Sequence, residues 1–103
     1  MIRGTTPTLI FTLPFEVSEL AAYYITFGQQ FGSAVKQVFE KSAEDCQEDG
    51  DTITVVLTQE DTLKLVADNQ VLIQVRARTT GGTALASKIF RCPADMILKD
   101  GVI

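Results

Sequence analysis

Residues 71–89 read VLIQVRARTTGGTALASKI, and the fold turns on this stretch. Val71, Ile73, Val75 and Ala77 occupy every second position, with Gln74, Arg76 and Arg78 between them. A period of two places the apolar set on one face of a strand and the polar set on the other. Gly81-Gly82 then interrupts the pattern, and Ala84 to Cys92 resumes it as a returning strand. The loop length fixes the register. A two-residue loop would set Lys88 opposite Val75 on the buried face. A three-residue loop, Thr80 to Gly82, sets Leu85 opposite Ala77, Ser87 opposite Val75 and Ile89 opposite Ile73. It also gives a glycine the left-handed position of a bulged turn. The spacing predicts the three-residue loop.

Alternation continues outward from this hairpin. Leu9, Phe11, Leu13, Phe15 and Val17 alternate with Thr8, Thr12, Pro14 and Glu16, a half-buried strand. Pro14 lacks an N–H, so this strand lies at an edge or breaks near residue 14. Ala21, Tyr23, Ile25 and Phe27 form a second face, with Tyr23 in the core and Tyr24 half-exposed. Gly28 to Gly32 reads as a turn and Ala34 to Phe39 as a third strand. An acidic connection, Glu40 to Asp51, ends in the hairpin signal Asp49-Gly50-Asp51. Thr52 to Leu57 is a strand with Ile53, Val55 and Leu57 on one side. Thr58, with an acid at Asp61, opens a short helical turn near residues 59–66. Pro93 ends the strand before it, and Met96-Ile97-Leu98 is a short apolar segment, read as an edge strand.

One domain over residues 1–103 accommodates all of this, with no linker, repeat or low-complexity tract. The predicted class is all-β and mainly antiparallel. The expected architecture is an immunoglobulin-like β-sandwich of six to eight short strands, with a small β-barrel as the alternative. The absence of Trp removes the Cys–Trp–Cys core of antibody domains. Cys46 and Cys92 share no CxxC spacing and are expected as free thiols of a reducing compartment.

Composition narrows function by exclusion. Thirteen Asp and Glu against nine Lys and Arg give a net charge of -4, the wrong sign for a nucleic-acid binder. The chain has no His, so no triad or zinc site can be built on one. Neither cysteine has an obvious activating base, and the loop acids lack an apolar pocket, so no catalytic residue is assigned. The acidic run Glu40, Glu44, Asp45, Glu48, Asp49 and Asp51 invites a calcium-loop reading. Laid on EF-hand spacing from Asp45, however, the twelfth position is Val56, where a bidentate Glu is required. The run reads as a solvated acidic hairpin, and no metal or cofactor is expected. Arg76, Arg78, Lys88 and Arg91 form the basic counterpart, and the two patches are complementary surfaces able to steer docking or self-association. No apolar run approaches the length of a membrane span or a signal peptide.

The opening Met1-Ile2-Arg3-Gly4-Thr5-Thr6-Pro7-Thr8, with Thr12-Leu13-Pro14-Phe15 after it, carries a family likeness. So do Val56-Leu57-Thr58-Gln59-Glu60-Asp61-Thr62, Gln74-Val75-Arg76-Ala77-Arg78-Thr79 and the closing Ile97-Leu98-Lys99-Asp100-Gly101-Val102-Ile103. Together they resemble small proteins encoded among the virion structural genes of phages and prophages of Gram-positive bacteria. The resemblance runs the length of the chain and marks no chemical site. It implies a non-enzymatic structural or assembly role, with synthesis in the host cytoplasm and a place in the virion. The implied partners are other virion components or a second copy, with neither nucleic acid nor membrane involved. The candidate interaction residues are Thr8, Ile10 and Thr12 on the first strand, Tyr24 on the second, and Arg76 and Arg78 on the basic face. A carbohydrate or other small ligand held at Tyr24 is the alternative function.

Overall fold

The computed structural model describes all residues, 1–103, as two packed antiparallel sheets. The smaller sheet has the order β1-β5-β4, formed by Thr8–Thr12, Thr52–Val56 and Cys46–Asp49. The larger contains β3 (Ala34–Ser42), β2 (Leu20–Phe31), β6 (Gln70–Thr79) and β7 (Ala84–Ala86), in that order. A further strand, β8 (Phe90–Pro93), pairs with the other half of β6. This is the β-sandwich that the alternation predicts.

The inward residues are those of the period-two pattern. Tyr23, Ile25 and Phe27 on β2, Val71, Ile73 and Val75 on β6, and Ile53 and Val55 on β5 form the buried core. Phe39 faces Phe27 across β2 and β3, their rings stacked at 4.5 Å between centroids. Burying apolar surface of this kind gives about 1.5–3 kcal/mol per large side chain, which holds the sheets face to face.

Several boundaries differ from the sequence reading. β1 stops at Thr12, ahead of Pro14, and a 3-10 turn at Val17–Glu19 leads into β2. Gly28 to Gly32 is not a turn: β2 runs through Gly28 to Phe31, and only Gly32-Ser33 link it to β3. Gly28 is needed for close approach, because a Cβ there would stand 3.0 Å from the Lys36 carbonyl oxygen, where the register between β2 and β3 shifts. The acidic connection is largely ordered ladder, holding the end of β3, a 3-10 turn at Ala43–Asp45 and β4. Met96 to Leu98 forms no strand.

The register of the three-residue loop is present in the first half of the hairpin. Leu85 faces Ala77, Gly82 takes φ +92, and Ser87 N–H donates to the Val75 carbonyl at 2.8 Å. Beyond Ser87 the register slips by one, so Phe90 rather than Ile89 faces Ile73. The cause is local. The Val75 N–H donates to the Ser87 hydroxyl at 3.0 Å, and the Ser87 carbonyl accepts from Gln74 Nε2 at 2.9 Å instead. A side chain has replaced a backbone acceptor, and the strand bulges there.

The helical turn is α1, Gln59–Leu63, shorter than the 59–66 span expected. Its capping box is complete: the Asp61 N–H donates to the Thr58 hydroxyl at 3.1 Å, and the Thr58 N–H to Asp61 Oδ2 at 2.9 Å. No helix is long and apolar enough to cross a membrane.

Candidate functional site

β1 pairs with β5 on one side and has no strand on the other. Leu57 N–H donates to the Pro7 carbonyl and Leu13 N–H to that of Asp51, with Leu9 opposite Val55 and Phe11 opposite Ile53. The odd-numbered backbone groups therefore face β5. By the antiparallel alternation, the N–H and C=O groups of Thr8, Ile10 and Thr12 point to the open edge. Their side chains lie on the outer face, where Ile10 is 66% exposed. No charged residue blunts this five-residue edge, a common natural safeguard against stray pairing. The Pro7 and Pro14 rings flank it instead.

Beside the edge runs an apolar groove of about 590 Å³. Phe11, Leu13 and Phe15 line one wall, Leu85 and Phe90 the other, and Val75 lies between them. Leu85 and Phe90 belong to β7 and β8, which extend the larger sheet, and they remain 36% and 41% exposed. Leu85 sits opposite Ala77 as the three-residue loop predicts, whereas the place of Phe90 in the groove is not legible in the sequence, because the slip after Ser87 is what turns it inward. The adjacent pair Ile89-Phe90 was the available signal: in a strictly alternating strand only one of two neighbours can face the core.

The other candidates meet on the outer face of the larger sheet. Tyr24 lies directly opposite Arg76 across β2 and β6, and Ala22 opposite Arg78. With Thr26, Glu40 and Ala84 they line a shallow trough of about 550 Å³. Thus Tyr24, Arg76 and Arg78 form one surface, whereas Thr8, Ile10 and Thr12 belong to the other sheet. The basic patch itself divides. Arg91 is tied down, donating to Gln30 Oε1 at 2.8 Å and Gln70 Oε1 at 3.3 Å, and the Lys88 ammonium lies 5.4 Å from the Phe90 ring centre. Arg76 and Arg78 join no ion pair.

The acidic segment is used structurally at several points. Asp45 Oδ2 accepts from the Ser42 N–H at 3.0 Å, and Glu48 Oε2 accepts from the Tyr23 hydroxyl at 2.6 Å. Burial, reinforced by the bond to Glu48, pushes the Tyr23 phenol well above its ordinary range. Burial likewise raises the Cys46 thiol, whose Sγ lies 3.3 Å from the Ser42 carbonyl oxygen. Cys46 and Cys92 are both free. No three carboxylate or thiol side chains converge in the manner of a metal site.

Comparison of the chain with known protein families, with curated proteins and with solved structures gives no match.

Proposed function

We propose that this chain is a non-enzymatic phage or prophage structural or assembly protein whose working surface is the open edge of β1. The resemblance described above suggests the setting, and the observation that carries the contact role is the pairing of a free strand edge with an apolar groove. An immunoglobulin-type sandwich has the sheet order A-B-E-D facing C-F-G. The order β1-β5-β4 is compatible with B-E-D of that arrangement, in which a strand A would lie beside β1, where no strand is paired. The occupant we infer is an extended, uncharged segment of another virion protein. Its backbone would bond to Thr8, Ile10 and Thr12, and alternate apolar side chains would fill the groove.

The test uses a blocked hexapeptide of alternating Val and Thr, titrated into isotope-labelled protein. The amides of Thr8, Ile10 and Thr12 should shift, while those of Leu9 and Phe11, already bonded to β5, should change less. Ile10→Pro removes the central free N–H on the side where an edge strand tolerates proline. It should keep the fold and weaken the peptide at least about tenfold, the loss expected for one buried contact. Equal binding by Ile10→Pro, or shifts confined to other strands, would sink the reading.

A small apolar ligand is the second reading, favoured by a groove volume in the usual ligand range of roughly 300–1,000 Å³. Tyr24 lies outside that groove, so the aromatic platform of a carbohydrate site is not part of it. Binding abolished by Phe90→Ala but untouched by Ile10→Pro would favour the ligand over the strand.

A further inference from the structure

The outer face of the larger sheet has no covering layer and carries two unpaired guanidinium groups. Arg76 and Arg78 are two residues apart on β6 and project from the same side. Ala86 and Ala84 stand opposite them on β7, and Tyr24 and Ala22 on β2. The short alanine side chains leave the trough in which the arginines and the Tyr24 ring are exposed. Glu40, hydrogen-bonded to Thr26 at 3.3 Å, lies toward one end of the trough and repels an acid there. Attraction is therefore strongest near Arg78 and Ala84.

The same chain presents a matching convex acid tip. Asp49, the last residue of β4, and Asp51 flank Gly50 at the two-residue turn Gly50-Asp51 that leads into β5, where Gly50 takes φ +58. Glu16 stands beside them, with Oε2 3.7 Å from the position a Gly50 Cβ would hold. All three acids are exposed, and the only ion pairs in the molecule are Met1–Asp95, Arg3–Asp100 and Lys41–Asp61. The tip belongs to the smaller sheet and the trough to the far side of the larger one, so neither neutralises the other within one copy.

We propose that the acidic tip of one copy, Glu16, Asp49 and Asp51, docks on the Arg76–Arg78–Tyr24 trough of a second copy. Carboxylates suit the guanidinium fork, and the narrow turn suits a trough walled by alanines. Overall repulsion between two molecules of charge -4 opposes the contact. At ~0.1 M salt that repulsion is screened over about 10 Å, whereas groups in direct contact are screened much less. This surface is separate from the β1 edge and does not depend on it.

Sedimentation from micromolar to about 1 mM protein at ~0.1 M salt reads the association, with a weak complex expected in that range. The pair Arg76→Glu/Arg78→Glu and the pair Asp49→Lys/Asp51→Lys should each weaken it about tenfold or more. Mixing the two double variants should restore it, because one supplies an intact tip and the other an intact trough. All four positions are exposed, and unchanged circular dichroism and melting confirm that each variant folds. A monomeric wild type across the range overturns the proposal. So do folded double variants that associate like wild type, or a mixture that fails to recover. Behaviour of the Ile10→Pro variant separates this outcome from failure of the β1 reading.

Discussion

Asp61 does two jobs at one carboxylate. It completes the cap of α1 with Thr58 and pairs with Lys41 Nζ of β3 at 2.7 Å, both side chains largely buried. Burial alone would raise its pKa, but the Lys41 ammonium and the Thr58 donors outweigh burial and hold the carboxyl below its ordinary value of 3.8. A group whose folded pKa is lowered contributes stability above its unfolded pKa, and that contribution is lost as pH falls through the folded value. Asp61→Asn leaves the Lys41 charge without its partner and should cost about 3 kcal/mol at neutral pH. Urea melts at several pH values check both parts. The variant should be the weaker at pH 7, and its stability should fall less steeply than that of wild type below pH ~4. The Thr58–Asp61 spacing announces the cap in the sequence. The partner at Lys41 is not announced, because it lies twenty positions earlier, across the β4–β5 hairpin, and only packing brings the two together.

At the scale of elements, Gln29 connects β2 to the loop after α1. It is fully buried at 0% exposure, and its amide donates to the carbonyls of Val66 and Asn69 while accepting from the Val66 N–H at 2.8 Å. That loop turns through Asp68 at φ 67, so its backbone groups need a partner outside any regular ladder. Gln29→Leu keeps the volume and strands those groups, and should destabilise by about 3 kcal/mol. Hydrogen exchange should locate the effect, with amides of residues 65–69 opening before those of the β2–β6 ladder. Uniform loosening across both sheets would contradict this role. In sequence Gln29 looked like part of a turn because glycines at 28 and 32 bracket it. Gly28, however, is present for the close approach of Lys36, and only the second glycine lies in the turn.

The whole molecule is an unequal sandwich in which the larger sheet reaches beyond the smaller on the β7–β8 side. The overhang creates the apolar groove and leaves β1 as an uncharged edge, which is also an aggregation hazard. Ile10→Lys places a charge at the centre of that edge, where the side chain is already exposed. It should leave the melting free energy within about 0.5 kcal/mol of wild type. It should also raise the concentration at which light scattering first reports aggregates. An unchanged onset would mean that β1 is not the edge through which copies meet.

What the sequence determined by itself was local and periodic. Alternate apolar residues selected strands and their inward faces, Asp49-Gly50-Asp51 and Gly81-Gly82 located hairpins, and Thr58 with Asp61 started the helix. Those features depend on neighbours a few residues away, so a linear reading reaches them. Tertiary structure decided where Phe90 points, what Gln29 holds, which acids are paired, and that Tyr24, Arg76 and Arg78 share a surface. Each depends on strands adjacent in space but distant along the chain, and a single hydroxyl at Ser87 was enough to shift the register that alternation had foretold.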